Sequence, residues 1–574
     1  MMRLSFCLTA ILIPGAALAA QEPPVAAESE LRDLVDRYAV DREALGRRYP
    51  VEFSPERAER LQRFYDEWKT RVEAVAFDPL GVEGRIDHVL LRTGIQYQKR
   101  LLSREEALWR ETASLLPFAS DALLLNDARL RMETMDAQKA AATLDSLSDR
   151  IDGAREEVEG RRDSVARLAA FRAQERLLDL GETLRSWYDF YSGYDPLFTW
   201  WCQAPYQELT RALEDYRKLL REKVLGIEPG EEEPIVGTPI GREALVADLE
   251  SELVPYTPEE LLILAEREFV WCENELRKAA REMGLGDDGI AAIEKVKNLY
   301  VPPGQQPDLI RDLAREAEAY LDEHGLLTVP PLAKEVWRMR MMTPERQRVN
   351  PFFTGGEVIS VSYPTDTMGH EDKLMSLRGN NVHFARATVF HELIPGHHLQ
   401  AFMNQRYNSH RRVFRTPFWG EGWALYWEML LWDRGFQRSP EDRVGQLFWR
   451  MHRAARIVFS LGFHLGRMTP EECIELLVER GGHELANAAA EVRRSFNGSY
   501  PPLYQLAYMM GGLQFRALHE ELVSSGKMTD REFHDAILEG GSMPVEMVRV
   551  RLRKETIPRD YAPRWKFLGE TVSP

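Results

Sequence analysis

Cysteine is scarce in this chain of 574 residues: four in all, Cys7 in an N-terminal apolar run and Cys202, Cys272 and Cys473 far apart. No Cys-x-x-Cys spacing occurs, which argues against a thiolate metal site, and three thiols beyond the N-terminal run allow at most one internal disulfide. Positive charge is also short. Lys and Arg number 74 against 91 Asp and Glu, a net charge of −17, which argues against nucleic acid as a partner. Beyond the N-terminal run no apolar stretch is long enough to span a bilayer. Internal repeats and low-complexity tracts are lacking as well. Hydrophobic residues make up 44% and aromatics 10%, enough for one large core or two ordinary ones.

The chain begins Met1-Met2-Arg3, continues with an apolar segment from Leu4 to Leu18, and reaches the small-residue end Ala17-Leu18-Ala19-Ala20. This pattern predicts a secretory signal peptide over residues 1–20 and an exported protein, periplasmic or secreted. The segment is too short for a membrane anchor and carries Pro14 and Gly15.

Most of the remainder reads as helix, so the expected fold class is mainly α. Residues 120–152 hold no Pro or Gly, and the pattern resumes from Ala154 to Trp187. Two strong helix starts are Thr257-Pro258-Glu259-Glu260 and Thr469-Pro470-Glu471-Glu472, each with a capping Thr, Pro at the first position and a Glu that closes a capping box. The one strand signal, Gly355 to Pro364, alternates and is rich in β-branched residues, and predicts a small antiparallel sheet beside the motif described next. Such a sheet serves either as an edge for an extended peptide or as a capping hairpin without a ligand. The aromatic block from Trp187 to Trp201 is read as a packed helix junction, with the wall of a substrate channel as the alternative. We divide the chain after the leader into an N-terminal helical lobe, 21–325, and a catalytic lobe, 326–574, with a cleft between them.

The chemistry concentrates in His391-Glu392-Leu393-Ile394-Pro395-Gly396-His397-His398. The usual H-E-x-x-H helix sets two imidazoles one turn apart, with the glutamate beside them as general base. Here Pro395 occupies the position of the second histidine. In an unbroken helix His397 would lie about 240° around the axis from His391, and His398 would return to its face. Pro395 lacks the N–H and crowds the preceding turn, and Gly396 tolerates unusual torsions. The pair therefore reads as a two-residue insertion that returns His397 to the ligand position, with His398 as the alternative. Glu421 and Glu428, seven residues apart on a predicted helix, supply a third ligand and a carboxylate that orients an imidazole; we assign Glu421 and Glu428 in that order, the reverse being open. Trp423, Trp427 and Trp432 are expected to pack that helix. A zinc ion on His391, His397 and Glu421, with Glu392 as general base, is the expected centre of a hydrolase.

The motif pair H-E-x-x-P-G-H-H-L-Q and E-G-W-A-L-Y resembles the bacterial family catalogued as "domain of unknown function 885", over a region from about Gly241 to the C-terminal helices. That family is similar in helical architecture to two-lobed zincin-like zinc peptidases, Taq-type carboxypeptidases and angiotensin-converting enzyme among them. The resemblance implies a metallopeptidase acting on short peptides, and it favours the first histidine of the pair, His397. It also brings in His464, as a hydrogen-bond donor to substrate or oxyanion, or equally a satisfied core histidine. Arg494 is implied as a carboxylate binder and Tyr508 as an oxyanion stabiliser. Ser460 and Ser495 stand where the family pattern has Asp and Tyr. The alternatives are a metal-dependent hydrolase of a non-peptide amide or ester, and a helical binding protein with a structural metal site.

Overall fold

The computed structural model describes residues 28–229, 234–349 and 352–568; the predicted signal peptide lies outside them. Among the described residues are 23 α-helices and two four-residue strands, a mainly α architecture. None of the helices is long and apolar enough to cross a membrane. Cys202, Cys272 and Cys473 are free and buried.

Local chemistry sets the helix boundaries. Thr257 and Thr469 cap the helices Pro258–Glu282 and Pro470–Glu479, and both capping boxes form as expected. The Pro- and Gly-free stretch over 120–152 is not one helix. Ala119–Leu130 ends, Met132 takes a positive φ of 58°, and Asp136 starts Ala137–Gly160 by accepting from the amides of Gln138 and Lys139. A side chain that caps an amide can end a helix as effectively as Pro or Gly.

The strands β1 (Arg338–Met341) and β2 (Val358–Val361) pair in parallel, Arg338 opposite Val358 and Met341 opposite Val361, which corrects the antiparallel expectation. The link through residues 342–357 contains a short helix and is long enough for a crossover, whereas a tight hairpin would force the antiparallel arrangement. One antiparallel bridge, Thr354 to Ser360, folds the preceding segment back on β2. The sheet does lie beside the motif helix: Ile359 and Val361 pack with Ala385, Val389 and Leu393.

The two largest cores draw residues from both sides of position 325. One joins Leu245–Val296 to residues between Phe384 and Phe567, and the other joins Ile86–Leu90 to residues between Phe390 and Ile557. A further core, within residues 115–227, takes Trp187 and Phe198 from the aromatic block, fully buried edge to face, whereas Phe190, Tyr194, Trp200 and Trp201 are exposed. The packed-junction reading thus holds for part of the block only, and none of the block lines the cavity described below.

A buried ionic cluster ties the first of the long helices, Val82–Thr112, to the segment that follows the motif. Asp87 accepts from Arg411 Nε at 2.7 Å and lies 2.8 Å from His410 Nε2, and all three side chains are sealed from solvent.

Candidate metal centre and its cavity

The motif helix, Val382–Glu392, starts at Asn381, which accepts from the amides of His383 and Phe384, and ends at Glu392. A new helix, His397–Asn404, begins after four residues. Between them Ile394–Pro395 is cis, Gly396 N–H donates to Phe390 O, and Leu399 N–H donates to Leu393 O. The expected insertion is thus a complete break with two separate helices. Gly396 is required there, because a Cβ would lie 1.8 Å from His391 O. Trp423 Nε1 donates to Pro395 O at 2.8 Å and Gln400 Nε2 to Trp419 O at 3.1 Å, which fasten the break to the next helix.

That next helix, Pro417–Asp433, is apolar on all sides and is buried accordingly, with Trp423 and Trp427 fully enclosed. It carries Glu421 and Glu428 toward the motif. Donor atoms of His391, His397 and Glu421 all lie within 4.8 Å of one another. His397 Nε2 is 3.0 Å and His391 Nε2 3.7 Å from Glu421 Oε2. Glu428 Oε1 accepts from His391 Nδ1 at 2.7 Å, leaving Nε2 directed at Glu421. His398 turns the other way, its Nε2 2.8 Å from Ala333 O, and is buried against Phe402.

Two imidazoles and one carboxylate form a donor set that suits zinc, and the electrostatics favour a cation there. Burial pushes His391 down, but Glu421 and Glu428 outweigh it and hold its imidazole up, at about 9. Burial also works against ionised Glu421, yet His397 and His391 keep its carboxyl well below the usual range. Glu392 is not a member of the triad. Burial raises its carboxyl against the pull of His397 and His391. Gly355 sits against it, and a Cβ on Gly355 would lie 2.2 Å from Glu392 Oε2.

All of these groups except Glu428 and His398 face a cavity of about 830 Å³. Its lining runs from Phe352 to Tyr508, all within the second half of the chain. Tyr508 lines it, its ring stacked 6.3 Å from His391. Arg494 lines it too, paired with Glu491. His464 does not reach it: at the end of the helix Pro440–His464 it is buried beside Phe463 and Phe496.

Of the cavity residues that the sequence did not single out, three stand against Glu421 or Tyr508. Tyr504, one turn before Tyr508, donates from its hydroxyl to Glu421 Oε1. Arg453 and Arg456, earlier on the helix that ends at His464, set their guanidinium groups 4.9 and 4.3 Å from the Tyr508 ring. The spacing of Arg453 and Arg456 by three residues puts them on one helix face and was the available signal. Ser460 and Ser495, in the two departing positions, donate to Pro502 O and Glu491 O.

The family described as "Bacterial protein of unknown function (DUF885)" matches residues 42–552. No curated protein matches the chain. A solved structure of a "putative lipoprotein of unknown function" from Shewanella oneidensis superposes with a TM-score of 0.68 at 17% identity, covering 92% of this chain and 100% of the other. A like-described protein from Colwellia psychrerythraea gives 0.58 at 16% identity, with 91% and 97% covered. At these identities the likeness concerns the fold.

Proposed function

Because the chain belongs to the bacterial DUF885 family, which brings no activity with it, we propose from the site itself that the protein is a zinc-dependent metallopeptidase hydrolysing short peptides. The observation that carries this is the convergence of His391, His397 and Glu421 beside a buried glutamate, Glu392, that faces the same cavity without joining the triad. A purely structural site has no use for such a glutamate.

His391, His397 and Glu421 would hold the ion, and Glu428 fixes the ring of His391 through Nδ1. Zinc bound there supplies Lewis acidity toward a water molecule and an amide carbonyl. Glu392 takes a proton from the attacking water and passes it to the departing amine, a task suited to a carboxyl raised by burial. Tyr504 holds Glu421 through Oε1, leaving Oε2 on the side of the two histidines. The cavity falls in the range typical of small ligands, roughly 300–1,000 Å³, and so favours short peptides over folded chains.

Export is part of this reading. It rests on the leader-like residues 1–20 and on fold neighbours described as lipoproteins. The test is mass-spectrometric profiling of a mixed peptide library with metal-loaded wild type and Glu392→Gln. Cleavage by the wild type alone supports the proposal; no cleavage by metal-loaded wild type overturns it.

A further inference from the structure

The chain carries a net charge of −17, yet its cavity has the opposite sign. Five arginines line it, Arg412, Arg415, Arg453, Arg456 and Arg494, against two glutamates, Glu392 and Glu421, and no Lys or Asp. Three of the arginines are answered from behind the wall, Arg453 by Glu428 at 3.8 Å, and Arg456 and Arg494 by Glu491. Arg412 and Arg415 are not. Both are exposed, and among the described residues neither pairs with a carboxylate; Arg412 Nε donates to Ser409 O at 3.2 Å. An isolated surface arginine counts for little, but a cleft of one sign focuses its field and concentrates the opposite charge inside it.

Their distance from the triad follows from how the walls run. Pro395 is tied to Trp423, His397 to Glu421 and Gln400 to Trp419, so the helices His397–Asn404 and Pro417–Asp433 run antiparallel as they leave the triad. One face of the first helix, His397, Gln400, Ala401 and Asn404, lines the cavity at helical spacing. The connection at the outer end contains the turn Ser409–Phe414, which holds Arg412 and is followed by Arg415. From His397 to Asn404 the helix rises roughly 10 Å. An extended peptide covers about 3.5 Å per residue, so the two arginines stand about three residues from the triad. A guanidinium there meets a side chain of the substrate, and its planar fork matches a carboxylate.

We propose that Arg412 and Arg415 select peptides that carry an Asp or Glu side chain about two to three residues from the bond cleaved. The inference rests on the peptidase reading and adds its substrate class, short acidic peptides.

The probes are short alanine peptides, acetylated and amidated at their ends, with a single Glu walked along the chain, and matched peptides with Gln in its place. The side-chain carboxylate is then the only anion offered. Calorimetry on zinc-loaded Glu392→Gln protein measures binding without turnover. At one or two positions Glu is expected to bind about 5–10-fold more tightly than Gln, the worth of one or two exposed ion pairs. That preference should fade as salt is raised from about 0.05 to 0.5 M. The double variant Arg412→Gln, Arg415→Gln is expected to abolish it. Arg412→Glu with Arg415→Glu is expected to invert it toward Lys peptides, a gain that misfolding does not produce. Equal binding of Glu and Gln peptides at every position, or a preference for Glu that survives both double variants, overturns the inference. Cleavage of Glu and Gln peptides by zinc-loaded wild type at equal kcat/KM also overturns it and leaves the peptidase reading intact. Preferential binding of Glu peptides with cleavage of none overturns the peptidase reading and leaves the selection of acidic peptides standing.

Discussion

Glu428 reaches across 37 residues of sequence to accept a 2.7 Å hydrogen bond from His391 Nδ1, and by holding that nitrogen it leaves Nε2 on the side of Glu421. Such partners tune metal affinity by about 10–100-fold. Glu428→Ala is therefore expected to weaken zinc binding by that factor. Competition against a chromophoric chelator measures it; an unchanged affinity would show that Glu428 has no orienting role.

The two adjacent histidines should separate cleanly. His397→Ala is expected to lose stoichiometric zinc, read by elemental mass spectrometry, because His397 is one of the three converging donors. His398→Ala should keep the ion and lose stability instead, by about 1–3 kcal/mol in a denaturant titration, since it leaves Ala333 O buried without its partner. Loss of zinc in both variants would argue against the assignment.

Gly355→Ala tests the position of the proposed base without touching it. The added Cβ would lie 2.2 Å from Glu392 Oε2 and 2.6 Å from Glu392 O, so Glu392 has to move. Displacement of a general base costs about 10²–10⁴-fold in rate. The expected outcome is a fall in kcat on that scale with zinc content unchanged; full activity would remove Glu392 from the proton-transfer role.

The buried cluster of Asp87, His410 and Arg411 predicts a dependence of stability on acid. Burial works against ionised Asp87, but Arg411 and His410 outweigh it and hold its carboxyl below the ordinary value. A group depressed in the folded state stabilises above its unfolded pKa, about 3.9, and that contribution drains away as pH falls through the folded value. The wild-type unfolding midpoint should thus drop steeply below about pH 4. Asp87→Asn should be less stable at neutral pH by about 3–5 kcal/mol, with a shallower acid limb. Parallel acid limbs would count against the assignment.

What the sequence disclosed of this site follows how local each relationship is. His391, Glu392, His397, Glu421 and Glu428 lie in two short motifs, and the spacing of side chains on helices sufficed to propose them. The manner in which His397 meets His391 was harder, because a bulge and a complete break serve the same spacing; the bonds from Trp423 and Gln400 that hold the break come from outside the motif. Tyr504 and Tyr508 share a helix face, so periodicity alone does not tell which one reaches Glu421. His464 was proposed from a helix whose cavity-facing part is earlier. Eight residues separate it from Arg456, roughly 12 Å along the axis, which places it beside Phe463 and Phe496. The mainly α class was plain from composition, whereas the direction of two four-residue strands depends on a crossover that propensity does not register.

The break at Leu393–Gly396 assigns His391 and His397 to different backbone hydrogen-bond ladders. An ion gripping both would act as a rivet between two helices that otherwise end and begin independently. Loading the site then becomes a local folding event as well as a chemical one. Amides over residues 393–400 should exchange with solvent more slowly once zinc is added, in a protein whose remaining helices exchange as before.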